Sequence, residues 1–441
     1  MATMTVASGE EACNTTIYKG GEQTVEAGGT ATGTTISTNL YGVLRGGKQV
    51  VFGTATGTTI YWDGEQYVEN GGTATDTTIR NGGQQFVEAG GKATGTTIGT
   101  DGGQTVKAGG EATGTTINGN GYQDVYGKAI GTNVTSTQYV RPGGTASNTT
   151  IDGGVQQIFD GGTATDTVMK DGGLAVEKGG TLLGTLEVHG TGNIAYLPDR
   201  FGFPSLKFVL PAGMGAGGPM LNISARVYGD PAPAIVLTDV DISVQTTALN
   251  VDDEITLISG AKGITGFSSP TTLSRDGYTF EVREEGGSLI AKVTGVWTYN
   301  VNIDPGISGG SITGCNPLTV EHGKTLNISC TATPDSSYSF TSLTLTDTTG
   351  RTATCNATTC DLTDVRGDVT VSATFTKVPP QPQQPPDNGG GAPQPQQPHV
   401  ISSTPTMGEL GLLLSGIALA GAAVPALRRR EKQGKKTDTR Q

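Results

Sequence analysis

A unit of nineteen residues recurs through roughly the first 190 residues, and this repeat constrains the fold more than any other feature. Each unit runs from one Thr-Thr-Ile through Gly-Gly and Thr-Ala-Thr-Gly to the next Thr-Thr-Ile. A fixed period of this length indicates a solenoid. The alternation and the Val, Thr and Ile content favour strands, and the Gly-Gly pairs favour corners with positive φ. We therefore predict an all-β fold, a right-handed β-helix of about nine to ten coils.

Three columns of residues at equivalent positions are predicted to form the core of this solenoid, because their members are apolar or small throughout. They are Ile17, Ile36, Ile60, Ile79, Ile98, Ile117, Val134, Ile151 and Met169; Val25, Val51, Val68, Val87, Val106, Val125, Val140, Ile158 and Val176; and Ala31, Ala55, Ala74, Ala93, Ala112, Ala129, Ala146, Ala164 and Leu182. The column after the valines mixes charges with aromatic residues, so it is predicted to face water. It comprises Glu26, Phe52, Glu69, Glu88, Lys107, Tyr126, Arg141, Phe159 and Glu177.

Composition agrees with an elongated β protein. The 441 residues include 70 glycines, with 5% aromatic and 15% charged residues, which does not suit one close-packed globule. The net charge of −12 argues against nucleic acid as a partner, because phosphate binding needs a basic surface. At the start of the chain, Thr5-Val6 aligns with Thr24-Val25, which places Met1 inside a coil. With no signal peptide visible, we expect further coils upstream of Met1 in an exported protein.

The segments after the repeat differ in composition, and we predict the following organisation. Residues 1–189 form the solenoid, 190–296 form irregular closing coils or a small β-sandwich, 297–378 form a disulfide-bearing β module, 379–403 form a Pro/Gln/Gly-rich linker, 404–430 form a sorting signal with a transmembrane helix at 407–427, and 431–441 form a basic cytoplasmic tail. The apolar run is just long enough to cross a bilayer. The basic residues after it place the tail in the cytoplasm and the rod outside.

The stacked Gly-Gly-Thr-Ala-Thr-Gly-Thr-Thr-Ile units of residues 5–189 resemble the passenger repeats of AIDA-type autotransporter adhesins. This resemblance implies a β-helix displayed on the bacterial cell surface for adhesion or self-association. It also implies heptose on Ser and Thr residues, added by a dedicated heptosyltransferase. The outer-membrane barrel of that family would need many alternating strands of about ten residues, and no such pattern follows residue 296.

The C-terminal segment 404–430 resembles an IPTL-type sorting signal, akin to the PEP-type signals that exosortase-like enzymes process. The resemblance rests on a Pro-Thr, a Glu and a Gly before the apolar run and on an arginine cluster after it: Pro405, Thr406, Glu409, Gly411, Arg428, Arg429 and Arg430. Thr404 and Met407 depart from the usual tetrapeptide, and Leu410 replaces the usual Trp. The resemblance implies an inner-membrane anchor with two outcomes: a cut near Pro405-Thr406 releases or transfers the rod, whereas an uncut chain stays a bitopic inner-membrane protein.

Residues 297–378 resemble bacterial surface repeats of the internalin-B type, through Thr331-Ala332-Thr333-Pro334, Ser337-Tyr338-Ser339-Phe340 and the terminal Val-Thr-Val-Ser-Ala-Thr-Phe. The segment also carries four of the five cysteines: Cys315, Cys330, Cys355 and Cys360. In an exported chain these favour two disulfides. Three pairings exist, and short loops favour Cys315 with Cys330 and Cys355 with Cys360. A zinc site formed by these cysteines is the alternative to disulfides, but the chain lacks a Cys-x-x-Cys pair and a nearby histidine pair.

The threonines of the repeat allow two interpretations. Outward members offer regular arrays of hydroxyls for O-glycosylation: Thr30, Thr32, Thr73, Thr75, Thr163 and Thr165. The plain alternative is that threonine is a good strand residue whose hydroxyls hydrogen-bond along the stack. Cys13 occupies the same outward column, at the position of Thr32, and is expected to be unpaired.

Catalysis is not predicted, because the repeated carboxylates have no second acid at a constant offset. No cofactor or metal site is expected. Arg366-Gly367-Asp368 spells the integrin-binding tripeptide, although its position favours a turn before the last strand. We predict an exported, adhesin-like protein that binds a host or neighbouring cell surface, or itself, through a repetitive face. The alternatives are a passive envelope or matrix component and a polysaccharide-degrading β-helix enzyme, with Asp239 and Asp241 as its candidate residues.

Overall fold

A computed structural model of the chain describes residues 2–18, 20–37, 46–195, 200–203, 205–223, 233–245 and 249–380. All regular secondary structure in these ranges is β. Contacts divide the chain into two units, Met1–Pro380 and Gln381–Gln441, and the second lies outside the described residues. The predicted transmembrane helix and sorting motif fall in that second unit. In the ranges given above, the structure has no helix that is long and apolar enough to cross a membrane.

The first part of the chain forms a β-solenoid of about ten turns, which confirms the predicted class. Each of its early coils contributes one strand to each of three rows. The first row is β1 (Thr3–Val6), β4 (Glu22–Val25), β7 (Lys48–Val51), β10 (Glu65–Val68), β13 (Gln84–Val87), β16 (Gly103–Val106), β19 (Tyr122–Val125) and β22 (Thr137–Val140). The second row is β2 (Glu11–Cys13), β5 (Thr30–Thr32), β8 (Thr54–Thr56), β11 (Thr73–Thr75), β14 (Lys92–Thr94), β17 (Glu111–Thr113), β20 (Lys128–Ile130) and β23 (Thr145–Ser147). The third row is β3 (Thr16–Ile17), β6 (Thr35–Ile36), β9 (Thr59–Ile60), β12 (Thr78–Ile79), β15 (Thr97–Ile98), β18 (Thr116–Ile117) and β21 (Asn133–Val134).

Strands of one row pair in parallel, in a register that keeps equivalent residues side by side. Val68 lies opposite Val87, and Val87 lies opposite Val106. The three predicted columns are buried accordingly, with Val25 and Ile79 fully buried and Ala31 1% exposed. Parallel pairing at about 4.8 Å therefore stacks identical side chains into continuous internal rows. The right-handed sense of the coil stays a prediction.

Two further internal columns are polar and are not among the three columns predicted to form the core. They are Gln23, Gln49, Gln66, Gln85, Gln104, Gln123, Gln138 and Gln156, and Thr34, Thr58, Thr77, Thr96, Thr115, Thr132, Thr149 and Thr167, all at most 1% exposed. Each glutamine after the first donates from Nε2 to Oε1 of the glutamine one coil earlier, at 2.6–2.7 Å. Each threonine hydroxyl donates to the glutamine Oε1 of its own coil at 3.1–3.4 Å. This amide ladder satisfies polar groups that would otherwise be costly to bury.

The corners of the coils explain the Gly-Gly pairs. Gly90 has a φ of +78°, which favours glycine, and a Cβ on Gly91 would lie 2.1 Å from the carbonyl oxygen of Val68 in the previous coil. The turn thus requires glycine at the first position, and the close approach of two coils requires glycine at the second position. A second corner follows the second-row strands and has positive φ in every coil. Only Gly, Asn and Asp occupy it: Asn14, Gly33, Gly57, Asp76, Gly95, Gly114, Gly131, Asn148, Asp166 and Gly184.

Parallel pairing continues beyond residue 189 in wider coils, and antiparallel strands then close the end. Three longer strands complete the repeat region before residue 189: β24 (Thr150–Ile158), β25 (Thr163–Val176) and β26 (Thr181–Val188). The strands after residue 189 are β27 (Gly192–Ala195), β28 (Arg200–Phe203), β29 (Ser205–Leu210), β30 (Leu221–Ile223), β31 (Ala234–Leu237), β32 (Val240–Val244), β33 (Glu254–Ser259), β34 (Gly263–Thr265), β35 (Thr271–Arg275), β36 (Tyr278–Glu285) and β37 (Ser288–Val296). Large side chains such as Phe203, Phe208 and Phe280 fill these coils. β37 pairs antiparallel with both β33 and β36, so it ends the parallel stack.

The module that follows consists of two antiparallel-rich sheets. Its strands are β38 (Thr298–Ile303), β39 (Gly310–Asn316), β40 (Thr319–Glu321), β41 (Leu326–Pro334), β42 (Tyr338–Asp347), β43 (Thr352–Cys355), β44 (Thr359–Leu362) and β45 (Val369–Lys377). One sheet has the order β40-β38-β45-β42-β43 and the other β39-β41-β44. A separate hydrophobic core, which includes Leu343, Leu345 and Val371, lies within the module.

Candidate functional site

The candidate glycosylation residues lie on the outside of the second-row strands. Thr30 and Thr32 flank the buried Ala31 of β5, and the same inward–outward alternation occurs in β11 and at the start of β25. Register places Thr30, Thr54 and Thr73 side by side, and likewise Thr32, Thr56 and Thr75. The outward positions of the second-row strands form two parallel rows that are rich in threonine, which we call the threonine rows. Lys92, Glu111 and Lys128 interrupt the first row, and Ile130 interrupts the second.

Of the six candidate threonines, Thr32 is exposed and the other five are half-buried. Within the described ranges, the six candidate hydroxyls make no hydrogen bond to another protein group; they belong to Thr30, Thr32, Thr73, Thr75, Thr163 and Thr165. Thr145, another member of the threonine rows, donates to the carbonyl oxygen of Gly127 in the previous coil at 3.5 Å. The buried threonines of the amide ladder donate instead to a glutamine of their own coil. The repeat thus separates two kinds of threonine, one structural and one that faces solvent.

The row after the valines faces water, as the sequence predicted. Its members are exposed or half-buried, and Phe52 and Tyr126 are each 40% exposed. Cys13 is free and exposed in β2, where it pairs in register with Thr32. The hydrogen bond to Glu11 raises the pKa of the Cys13 thiol, with smaller contributions from desolvation and the Glu11 charge.

Both preferred disulfides of the module are present. Cys315–Cys330 joins β39 to β41 within one sheet, and Cys355–Cys360 joins β43 to β44, which belong to different sheets. All four sulfur atoms of the module are therefore in disulfide bonds, and none is a thiolate that could bind a zinc ion. In the ranges that the structure describes, no group of three or more His, Cys, Asp or Glu residues is placed to hold a metal ion.

The carboxylates considered for hydrolysis have local structural partners. Asp239 accepts a hydrogen bond from the Ser205 hydroxyl at 3.0 Å, and Asp241 pairs with Arg275 at 2.8 Å. An open cleft of about 480 Å³ lies elsewhere, beside Lys170, Met214 and Met220. Among the described residues that line this cleft, Asp171 is the one carboxylate. Glycoside hydrolysis requires two carboxyl groups, so the described lining of the cleft does not supply the pair.

The Arg-Gly-Asp tripeptide is part of the module's internal framework. Arg366 donates to Asp364 at 3.0 Å, and Asp368 accepts the backbone N–H of Asn300 at 2.8 Å. A Cβ on Gly367 would lie 2.0 Å from the Thr348 hydroxyl. These contacts hold the turn before β45, as its position in the sequence predicted.

Comparison with known proteins yields two findings. The family model described as "Divergent InlB B-repeat domain" matches residues 299–379, which confirms the resemblance stated for the module. Among solved structures, the chain is similar to the "Crystal structure of TibC-catalyzed hyper-glycosylated TibA55-350 fragment". The identity is 31%, the alignment covers 58% of this chain and 99% of that one, and the TM-score is 0.43. No curated protein matches. The module is therefore similar to InlB-type repeats, and hyper-glycosylation is a property of the TibA fragment.

Proposed function

We propose that this chain is an exported, adhesin-like β-solenoid that attaches to a host or neighbouring cell surface, or to itself, through the threonine rows. The observation that carries the proposal is the repetition of solvent-facing hydroxyls at the spacing of the coils. Weak contacts repeated along such a rod add through effective concentration, so no deep pocket is required. The resemblance of the repeats to AIDA-type passengers supports the same role.

We further propose that a heptosyltransferase glycosylates the threonine rows. Six hydroxyls without protein partners, on strands whose inner face is packed, are accessible to such an enzyme. Sugars placed there would extend the adhesive surface without disturbing the buried columns.

The test replaces Thr30, Thr73 and Thr163 together by valine, which keeps the β-branched shape and removes the hydroxyl. The matched control replaces the same residues by serine, which keeps the hydroxyl. We expect intact-mass analysis of the protein from its native cell to show fewer attached sugars in the valine variant than in the serine variant. Attachment and self-association should fall with the sugar count.

Two results would contradict the proposal. The first is a wild-type protein that neither attaches to cells or surfaces nor self-associates, which would favour the passive matrix component. The second is a valine variant whose mass, attachment and self-association all equal those of the wild type, which would leave the threonine rows without a role.

A further inference from the structure

The threonine rows carry charges of both signs at their centre. The first row holds three threonines on either side of Lys92, Glu111 and Lys128. In chain order from β2 to β26 it comprises Glu11, Thr30, Thr54, Thr73, Lys92, Glu111, Lys128, Thr145, Thr163 and Thr181. The second row is uncharged and comprises Cys13, Thr32, Thr56, Thr75, Thr94, Thr113, Ile130, Ser147, Thr165 and Leu183. Apart from Glu11 at one end, the charges of this face are gathered in three consecutive coils.

These charges are not all paired within the chain. Lys128 Nζ lies 3.1 Å from Glu111 Oε2, and the two side chains are 54% and 37% exposed. Such an exposed pair contributes little to stability, so it does not keep Glu111 from binding a second cation. Lys92 is exposed, and within the described ranges it has no ion pair. One lysine and one carboxylate are therefore available to a partner.

The order of the charges is complementary to itself. A second copy can pack face to face and antiparallel, with a two-fold axis between β14 and β17. This arrangement sets Lys92 opposite the second copy's Glu111, and Glu111 opposite the second copy's Lys92. Lys128 then faces Thr73, and no two like charges meet along the first row. A two-fold contact of this kind uses the same patch on both chains.

The second row and the neighbouring corner fit the same register. Ile130 faces Thr75, and Leu183 faces Cys13, so each large apolar side chain meets a small one. The corner after the second-row strands carries a side chain in four coils and glycine in six. Each of the four side chains faces a glycine: Asn14 with Gly184, Asp76 with Gly131, Asn148 with Gly57, and Asp166 with Gly33. The shape of the face thus matches the arrangement that pairs its charges.

Other arrangements of two copies lose these matches. An axis moved one coil towards β20 sets Asp76 opposite Asp166, which are two like charges. An axis through β17 sets Glu111 against Glu111. Parallel copies set the first row of each chain against the second row of the other, so Lys128 faces Ile130 and no ion pair forms. The charge order therefore selects a second copy that is antiparallel and in one register.

We propose that the threonine rows bind a second copy of this chain, antiparallel and with two Lys92–Glu111 ion pairs at the centre. The inference deepens the proposed adhesive function, on which it rests, by naming the partner and the residues that meet. The contact is narrow, because each copy offers strands of three residues at a spacing of about 4.8 Å, so many copies on a surface are needed to add weak contacts. None of the six candidate glycosylation residues lies in β14, β17 or β20, so the ion pairs lie apart from the proposed sugars.

The test is sedimentation equilibrium of the full chain in mild detergent, made in cells without the glycosyltransferase and studied at low salt, where ion pairs are least screened. The variants are Lys92→Glu and Glu111→Lys, each of which sets like charges against each other in a pair of identical copies. An equal mixture of the two variants restores opposite charges at both contacts. The control is Arg80→Glu, which changes the net charge as Lys92→Glu does but is exposed in the corner after the third-row strand β12.

We expect the wild type and the control to dimerise equally, and each variant alone to dimerise about tenfold more weakly, because two attractive contacts become repulsive. The mixture should recover the wild-type affinity, which also shows that both variants are folded. The inference is overturned if the wild type stays monomeric, if either variant alone dimerises like the wild type, or if the mixture associates no better than its parts. Attachment to cells is measured on the same samples: a wild type that attaches but stays monomeric refutes this inference alone, and one that does neither refutes the proposed function as well.

Discussion

Each glutamine of the amide ladder makes contacts that leave little freedom to replace it. Gln104 donates to Gln85, accepts from Gln123 and accepts the Thr115 hydroxyl. Gln156 is the last amide, because Leu174 occupies the equivalent place in the next coil. It donates to Gln138 and to the Thr149 hydroxyl and accepts from Thr167, but no following glutamine depends on it.

This difference predicts that Gln104→Leu destabilises the solenoid more than Gln156→Leu does. Gln104→Leu leaves the Gln123 amide and the Thr115 hydroxyl without their acceptor, whereas Gln156→Leu leaves only the Thr167 hydroxyl. Each buried donor left without a partner costs about 1–3 kcal/mol, so we expect a gap of that size between the variants. Urea unfolding followed by circular dichroism measures it. Equal midpoints for the two variants would contradict the ladder's role.

The ladder also marks what residue patterns can and cannot predict. The Val, Ala and Ile columns were predictable because apolarity recurs at a fixed phase. The glutamines were missed because polar residues are usually outside. A signal was present: Gln23 lies two residues before Val25, and side chains two apart share one face of a strand. The same spacing recurs in every coil to Gln156, so alternation alone would have placed the amides inside.

At the scale of elements, the contact between the end of the solenoid and the module centres on His322. This side chain is 6% exposed, its ring lies 5.2 Å from that of Tyr278, and its Nδ1 is 3.0 Å from the Tyr299 hydroxyl. Burial lowers the pKa of His322 below 6.5, Arg366 and Arg351 lower it further, and Asp364 and Asp276 oppose them.

The lowered pKa of His322 predicts that the folded chain is less stable in acid. His322 takes up a proton near pH 6.5 in the unfolded chain but only at lower pH in the folded chain. The contribution of neutral His322 to the free energy of unfolding is therefore fully present above pH 6.5 and is lost as the pH falls. The loss is at most about 1.4 kcal/mol per pH unit. Thermal unfolding at pH 7.5 and 5.5 measures it. His322→Gln should reduce the difference between the two pH values; an unchanged difference in this variant would refute the assignment.

The elements beyond residue 189 could be predicted only in part. Their strand-like segments are visible in the sequence, but the period fades, and nothing local indicates that β29 pairs with β32 across thirty-odd residues. Pairing there depends on packing of Phe203, Phe208 and their neighbours, which is non-local. In the module, by contrast, short loops between cysteines sufficed to favour the disulfides that the structure contains.

In a solenoid, each coil contacts only its neighbours. Every added coil therefore increases both the stability of the stack and the area of its outer surface. The same repetition places the threonine rows on the outward side of the second-row strands. We propose that anchoring of the chain to its own cell depends on the segment after the module. Its proposed sorting signal lies in the second unit, outside the described residues.

Processing of the proposed sorting signal predicts that the mature protein is shorter than its full sequence. If an exosortase-like enzyme cuts near Pro405-Thr406, the protein from its native cell lacks residues 406–441, and attached heptose adds to the remainder. We expect Pro405→Ala to retain those residues and to fractionate with the inner membrane, because the uncut apolar run keeps it there. Pro398→Ala, in the linker, is the matched control and should be cut normally. Intact-mass analysis of all three proteins decides the matter, since a wild-type mass that includes residues 406–441 would rule out processing.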